Sequence, residues 1–332
     1  MPPAIASRLS RSLSGHLRTV GWRAVRGLRP EPSPVSEPWS AVVEDPKIGP
    51  VRLSGRLRRA APARDGAPAA AGGLLVVVHG LGASAEAGYA LRAARAAEAA
   101  GLASLRLNLR GADRSGEDYY HAGLTEDLRA ALASPALADF EQVAVLGFSL
   151  GGHLALRYAA QEPDPRLRAV AAVCAPLDLA AGGRLIDRPG LWAYRRYLFG
   201  HLLEIYAAVA RRRPVPLPLE AARRIRTFLD WDTRVVAARH GFRDAADYYA
   251  RMSVGPLLEC LAVPALLVSA EDDPMVPPGA VLPVVAGRDT PLEVRWVRSG
   301  GHMAFAPGLD LGFGGGKGVE SQVLGWLARS MS

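Results

Sequence analysis

Ser149 stands at the apex of Gln142-Val143-Ala144-Val145-Leu146-Gly147-Phe148-Ser149-Leu150-Gly151-Gly152-His153, with Gly147 and Gly151 two residues away on either side. An apolar run before this spacing and an Ala/Leu-rich run after it read as strand, sharp turn and helix. A turn this tight brings neighbouring backbones too close for a Cβ at the flanking positions. The serine at such an apex is a candidate nucleophile, but its hydroxyl is weak at neutral pH. It needs a base within hydrogen-bond reach and a third group to orient that base. Both are available late in the chain, each after an apolar run. Asp273 follows Ala265-Leu266-Leu267-Val268-Ser269-Ala270 in the loop Glu271-Asp272-Asp273-Pro274-Met275-Val276-Pro277. Pro274 fixes the backbone beside it, and Glu271 and Asp272 are its rivals for the role of acid. His302 lies in Ser299-Gly300-Gly301-His302-Met303-Ala304-Phe305 and is the expected base. His16, His79, His121, His153, His201 and His240 take the ordinary structural reading. A tetrahedral intermediate also needs donors for its oxyanion. The backbone N–H of Leu150, just after the nucleophile, and that of Leu81, in His79-Gly80-Leu81-Gly82, are the expected pair.

These residues require a scaffold that delivers several strand ends to one place. Leu74-Leu75-Val76-Val77-Val78 is an unbroken apolar run, as in a strand covered on both faces, and an Ala-rich helix over 89–100 follows. The alternation repeats with strands at 103–109, 143–147 and 169–174 and helices at 124–132 and 150–160. This pattern predicts an α/β fold with a mostly parallel, doubly wound sheet, whose ligands collect beyond the carboxyl ends of the strands. Short strands at 41–43 and 51–57 predict an antiparallel opening, and 60–73 reads as a small-residue loop. From 177 to 254 the alternation gives way to apolar and aromatic residues at helical spacing, which predicts an inserted helical cap. The sheet resumes at 264–270 and 292–297, and a last helix covers 319–328. The expected organisation is a basic N-terminal segment over 1–40, an α/β core over 41–176 and 255–332, and the cap over 177–254.

Composition narrows the alternatives. The net charge of +8 arises from arginines scattered along the chain, with Lys47 and Lys317 the only lysines, and no recognition helix accompanies it, so nucleic acid is not expected as a partner. Residues 1–30 carry Arg8, Arg11, Arg18, Arg23, Arg26 and Arg29 without an acid, with Ile5, Leu9, Leu13 and Leu17 at helical spacing. Such a segment can pack on the domain, touch a membrane surface weakly or act as a transit sequence; packing is the favoured reading for its later part. No apolar stretch has the length of a spanning helix, and a cytoplasmic protein, with peripheral membrane contact at most, is expected. Cys174 and Cys260 read as reduced core residues. No metal site has credible ligand spacing, and Gly312-Phe313-Gly314-Gly315-Gly316-Lys317-Gly318 lacks the hydroxyl and preceding strand of a phosphate loop. The chemistry is expected to need no cofactor.

The chain resembles the alpha/beta-hydrolase superfamily and, within it, the YheT-like esterase branch, relatives of ABHD-type lipid hydrolases. Beyond the serine turn, the branch is indicated by Gly15-His16-Leu17-Arg18-Thr19, by Arg110-Gly111 with Tyr120-His121-Ala122-Gly123-Leu124-Thr125-Glu126-Asp127, and by Gly300-Gly301-His302 with Phe305. Arg223-Arg224-Ile225-Arg226-Thr227-Phe228-Leu229-Asp230 and His240-Gly241-Phe242-Arg243-Asp244-Ala245-Ala246-Asp247-Tyr248-Tyr249 are similar to its cap region. Arg18 stands where the branch usually has Gln. The resemblance implies hydrolysis of carboxylic esters of short to medium acyl chains, or of lipids, by Ser149, Asp273 and His302. Acyl transfer to an alcohol by the same residues, or a noncatalytic acyl-ligand binder on the same scaffold, are the alternatives.

Overall fold

The computed structural model describes Gly15, Thr19 and residues 32–60 and 73–331. The remainder of the basic N-terminal segment and most of the predicted small-residue loop at 60–73 lie outside the described residues. The centre is an eight-stranded sheet: β1 (Glu37–Asp45), β2 (Gly49–Arg58), β3 (Gly73–Val78), β4 (Ala103–Asn108), β5 (Gln142–Phe148), β6 (Leu167–Val173), β7 (Ala265–Ala270) and β8 (Leu292–Val297). Their order is β1-β2-β4-β3-β5-β6-β7-β8. The first two strands form the antiparallel opening and β2 pairs antiparallel with β4, while every pairing from β4 to β8 is parallel.

The unbroken apolar run of β3 has a direct cause in this order. Leu74, Val76 and Val78 enter one hydrophobic cluster and Leu75 and Val77 the other, so the strand is covered on both faces. Helices α1 (Gly88–Ala99) and α11 (Val319–Ser330) cover the second face. The small side chains of Ala90, Ala93 and Ala97 let α1 sit close to the strands, and Arg92 reaches Glu320 on α11 at 2.7 Å. The first face carries α2 (Glu126–Leu132) and α3 (Leu150–Ala159).

Between β6 and β7 the described chain is helical: α4 (Leu179–Ile186), α5 (Trp192–Ala210), α6 (Leu219–Ala222), α7 (Phe228–Trp231), a π-helical turn (Asp232–Ala237), α8 (Ala238–His240) and α9 (Ala245–Met252). α10 (Pro278–Val285) lies between β7 and β8. Phe199 stacks on Phe228, with ring centroids 4.9 Å apart, and Trp231 meets Phe199 edge-on, which joins α5 to α7.

A buried charged cluster ties this helical insertion to the sheet. The Arg110 guanidinium, just after β4, donates to Asp127 on α2 at 2.9 and 2.6 Å, to Asp45 at the end of β1 at 2.7 Å and to Asp118 at 3.3 Å. Arg239 on α8 donates to the same Asp118 at 3.0 and 2.6 Å. Burial alone would lower the Arg110 pKa, but the three carboxylates outweigh it and hold the guanidinium firmly charged. One expectation is corrected here: Cys174 is buried, but Cys260 is exposed, because it falls at the end of a surface 3-10 turn (Gly255–Cys260) rather than on the strand that follows.

Candidate active site

Ser149 occupies the turn between β5 and α3 with φ 50° and ψ −118°, a conformation that costs a non-glycine residue free energy. The strand and helix on either side hold it there. A Cβ on Gly147 would lie 2.1 Å from the Gly151 carbonyl oxygen, and one on Gly151 would lie 2.4 Å from that of Val78. The glycine spacing is thus a packing requirement. His302 Nε2 is 3.0 Å from Ser149 Oγ, and His302 Nδ1 is 2.8 Å from Asp273 Oδ2. With Nδ1–H donating to the carboxylate, Nε2 is left as the acceptor for the serine hydroxyl.

Asp273 is fixed by its own loop: Oδ1 accepts from the N–H groups of Met275 at 2.8 Å and Val276 at 2.9 Å. Burial would raise its pKa, but His302 and these two N–H groups more than offset that and hold the carboxyl below its ordinary range. Of the three neighbouring acids, it is Asp273 that meets His302. Cys174 Sγ lies within 4.8 Å of ligand atoms on both Asp273 and His302, a grouping that sequence spacing did not suggest. Burial and the nearby Asp273 carboxylate push its thiol well up, which disfavours the thiolate a metal would need.

Leu81 and Leu150 both line the cavity in front of Ser149, and no protein acceptor among the described residues takes either backbone N–H. The loop bearing Leu81 is tied down on both sides. Tyr89 Oη accepts from Gly80 N–H at 2.9 Å and Tyr120 Oη from Gly82 N–H at 2.7 Å. His79 serves the same turn: Nε2 accepts from Leu109 N–H at 3.2 Å, and Nδ1 lies 2.8 Å from the Gly80 carbonyl oxygen. Burial pushes its pKa down to about 4, so it is a neutral structural group.

Two contributions were missed at the level of sequence. Thr19 Oγ1 accepts the backbone N–H of His302 at 2.9 Å and donates to the Gly15 carbonyl oxygen at 2.8 Å. Gly301 is required at this contact, since a Cβ there would lie 2.2 Å from Thr19 Oγ1. The Gly-Gly before His302 was the available signal, but nothing local identified its partner 283 residues away. The second is Asp232, a carboxyl in the cavity wall supplied by the helical insertion.

The cavity, partly open to solvent, has a volume of about 170 Å³. Its wall is largely apolar, from Leu179 and Ile186 on α4, Leu198 and Leu202 on α5, and Phe228 and Trp231 on α7. No helix among the described residues is long and apolar enough to cross a membrane.

Known proteins agree with this architecture. Residues 73–309 match the alpha/beta hydrolase fold family. The chain is 32% identical over 267 residues to "Putative esterase YheT" of Escherichia coli (strain K12), covering 76% of each protein. It is 28% identical over 229 residues to "Putative esterase slr0264" of Synechocystis sp., covering 57% of this chain and 60% of that one. Among solved structures, the Pyrococcus furiosus esterase Pf2001 superposes with a TM-score of 0.57 at 17% identity, covering 90% of this chain and 94% of the other, a likeness of fold. Sheet order, the serine turn and these matches together place the chain in the alpha/beta-hydrolase family, within its YheT-like esterase branch.

Proposed function

We propose that the protein hydrolyses carboxylic esters through a covalent acyl-enzyme. The observation that carries this reading is the unbroken relay from Asp273 through His302 to Ser149, opening on an apolar cavity. Ser149 Oγ attacks the ester carbonyl carbon while His302 Nε2 takes its proton. The C–O bond to the leaving alcohol breaks, and His302 returns the proton to that alkoxide. Water, deprotonated by the same imidazole, then releases the acid. The N–H groups of Leu81 and Leu150 stabilise the oxyanion, each worth on the order of 10²–10³ in kcat. Asp273 keeps His302 in the productive tautomer and offsets its transient charge.

The cavity limits the substrate. A cavity of roughly 150 Å³ holds a benzene-sized molecule, so acyl chains of about four to six carbons should fit fully inside. A fluorophosphonate should label Ser149, and p-nitrophenyl esters should show a maximum of kcat/KM in that range. Full esterase activity in Ser149→Ala would refute the mechanism. Added ethanol gives the same acyl-enzyme a second acceptor; ethyl ester in excess of free acid would reassign the chain to acyl transfer.

A further inference from the structure

The apolar wall contains one acid. Asp232 opens a π-helical turn, an irregularity that concentrates at functional sites, and lines the cavity that holds Ser149 and His302. Its Oδ2 accepts the Tyr249 hydroxyl at 2.6 Å, while Oδ1 has no hydrogen-bond partner among the described residues. Asp232 is half-buried and its Oδ1 is left accessible, so a donor entering the cavity can reach it. The cavity residues around it include the aromatic rings of Phe228, Trp231, Tyr248 and Tyr249. Among the described lining residues there is no Lys, Arg or Glu, and burial pushes the His121 pKa well below its ordinary value, which leaves that ring neutral.

A single acid among aromatic faces, with no Lys or Arg among the described residues lining the cavity, is complementary to a cation. We infer that the cavity accepts esters carrying a protonated amine, with Asp232 Oδ1 taking the ammonium N–H and the aromatic rings facing the rest of the charge. A neutral hydroxyl could also donate to Oδ1, but it would leave the charge of Asp232 unanswered and would gain nothing from the ring faces. Burial, with a contribution from the neighbouring Asp187 carboxylate, pushes the Asp232 pKa up to about 7. Among the described residues lining the cavity no Lys or Arg faces Asp232, and an ammonium supplies that countercharge. The same logic makes Asp232 a specificity-determining residue.

This inference rests on the ester-hydrolase reading, and isosteric substrate pairs test the two separately. On the alcohol side, 2-(dimethylammonio)ethyl butyrate is compared with 3-methylbutyl butyrate. On the acyl side, p-nitrophenyl 4-(dimethylammonio)butanoate is compared with p-nitrophenyl 5-methylhexanoate. For at least one pair, the wild-type ratio of kcat/KM, charged over neutral, should be about tenfold or more, the scale of one charge-assisted hydrogen bond. In Asp232→Asn, which keeps the side-chain shape, that ratio should fall to about one or below. Because the ratio is taken within each variant, partial loss of folded protein cancels. Preference for the neutral member in both wild-type pairs, or a ratio unchanged in Asp232→Asn, overturns the inference and leaves the esterase reading intact. Failure to cleave any of the four esters, with Ser149 unlabelled by a fluorophosphonate, overturns the esterase reading itself.

Discussion

Replacing Thr19 by Val should slow the chemical step without altering substrate binding. Valine keeps the shape of threonine, so the cavity wall that Thr19 helps to form is preserved, but the hydroxyl is lost. That hydroxyl is the acceptor for the His302 N–H at 2.9 Å and lies at a buried position. Leaving a buried N–H unpaired costs about 1–3 kcal/mol. Some of that cost falls on overall stability, and the rest appears as displacement of the His302 backbone. The imidazole must hold a 2.8 Å contact on one side and a 3.0 Å contact on the other, so it tolerates little displacement. The expected fall in kcat is about tenfold, bounded at roughly 100-fold if the full 3 kcal/mol is felt in the transition state. KM should stay within about twofold, since no contact made equally in ground and transition states is removed. Thr19→Ser, which restores the hydroxyl, should recover most of kcat, a rescue that a merely structural role for the methyl group would not give. Steady-state kinetics on a short-chain p-nitrophenyl ester measure all three quantities. Wild-type kcat in Thr19→Val, or equal losses in Thr19→Val and Thr19→Ser, would refute the reasoning.

Further outcomes follow from burial and charge. Arg110→Met removes the cation that answers Asp127, Asp45 and Asp118, and should destabilise the fold by about 3–5 kcal/mol, read from the urea midpoint; a loss below about 1 kcal/mol would show that water reaches the cluster. Stability should decline as pH falls from about 6.5 toward 4. The unfolded chain protonates its histidines near 6.5, whereas burial pushes His79 down to about 4 and His240 to about 3 and lowers His121 and His153 as well. His79 alone contributes about 3 kcal/mol that is lost across this window. Asp232, raised to about 7, acts with the opposite sign: its contribution is present at low pH and is lost as pH rises through 7. One such acid cannot cancel four histidines. Thermal melts at pH 7, 5.5 and 4.5 with a constant Tm would contradict this balance.

The sheet was legible because a strand covered on both faces must be apolar at every position, as Leu74 to Val78 are, and because helices of Ala and Leu separate such runs. The strand order was not, since nothing in a run of valines says which neighbour it takes. The tight turn at Ser149 could be read from spacing alone, because the flanking glycines answer a local steric demand. Asp273 and His302 required the further idea that each follows a strand whose end faces the same way; the structure sets His302 within hydrogen-bond distance of Asp273 on one side and of Ser149 on the other. Residues whose partners are remote in sequence stayed hidden. Thr19 belongs to a segment that marks the family branch, but nothing in that segment says that its hydroxyl meets the His302 backbone. Asp232 is one acid among several at helical spacing, and only the folded cavity shows that no Lys or Arg among the described residues lines the wall with it. Arg110, Asp118, Asp127 and Arg239 form one cluster by folding, and no spacing rule connects them.

That cluster also constrains how substrate enters. Since Arg239 and Arg110 grip the same Asp118, the roof above Ser149 is bolted at its far end to two strands and a helix of the floor. Raising it as a rigid flap would separate Arg239 from Asp118 and leave buried charge unpaired, a costly step. The near rim is formed on α5, where Tyr197 lines the cavity and is half exposed. Under the proposed esterase reading, breadth of substrate choice is then an attribute of side chains at this rim, and engineering toward bulkier esters would reshape α5 and leave the bolts in place.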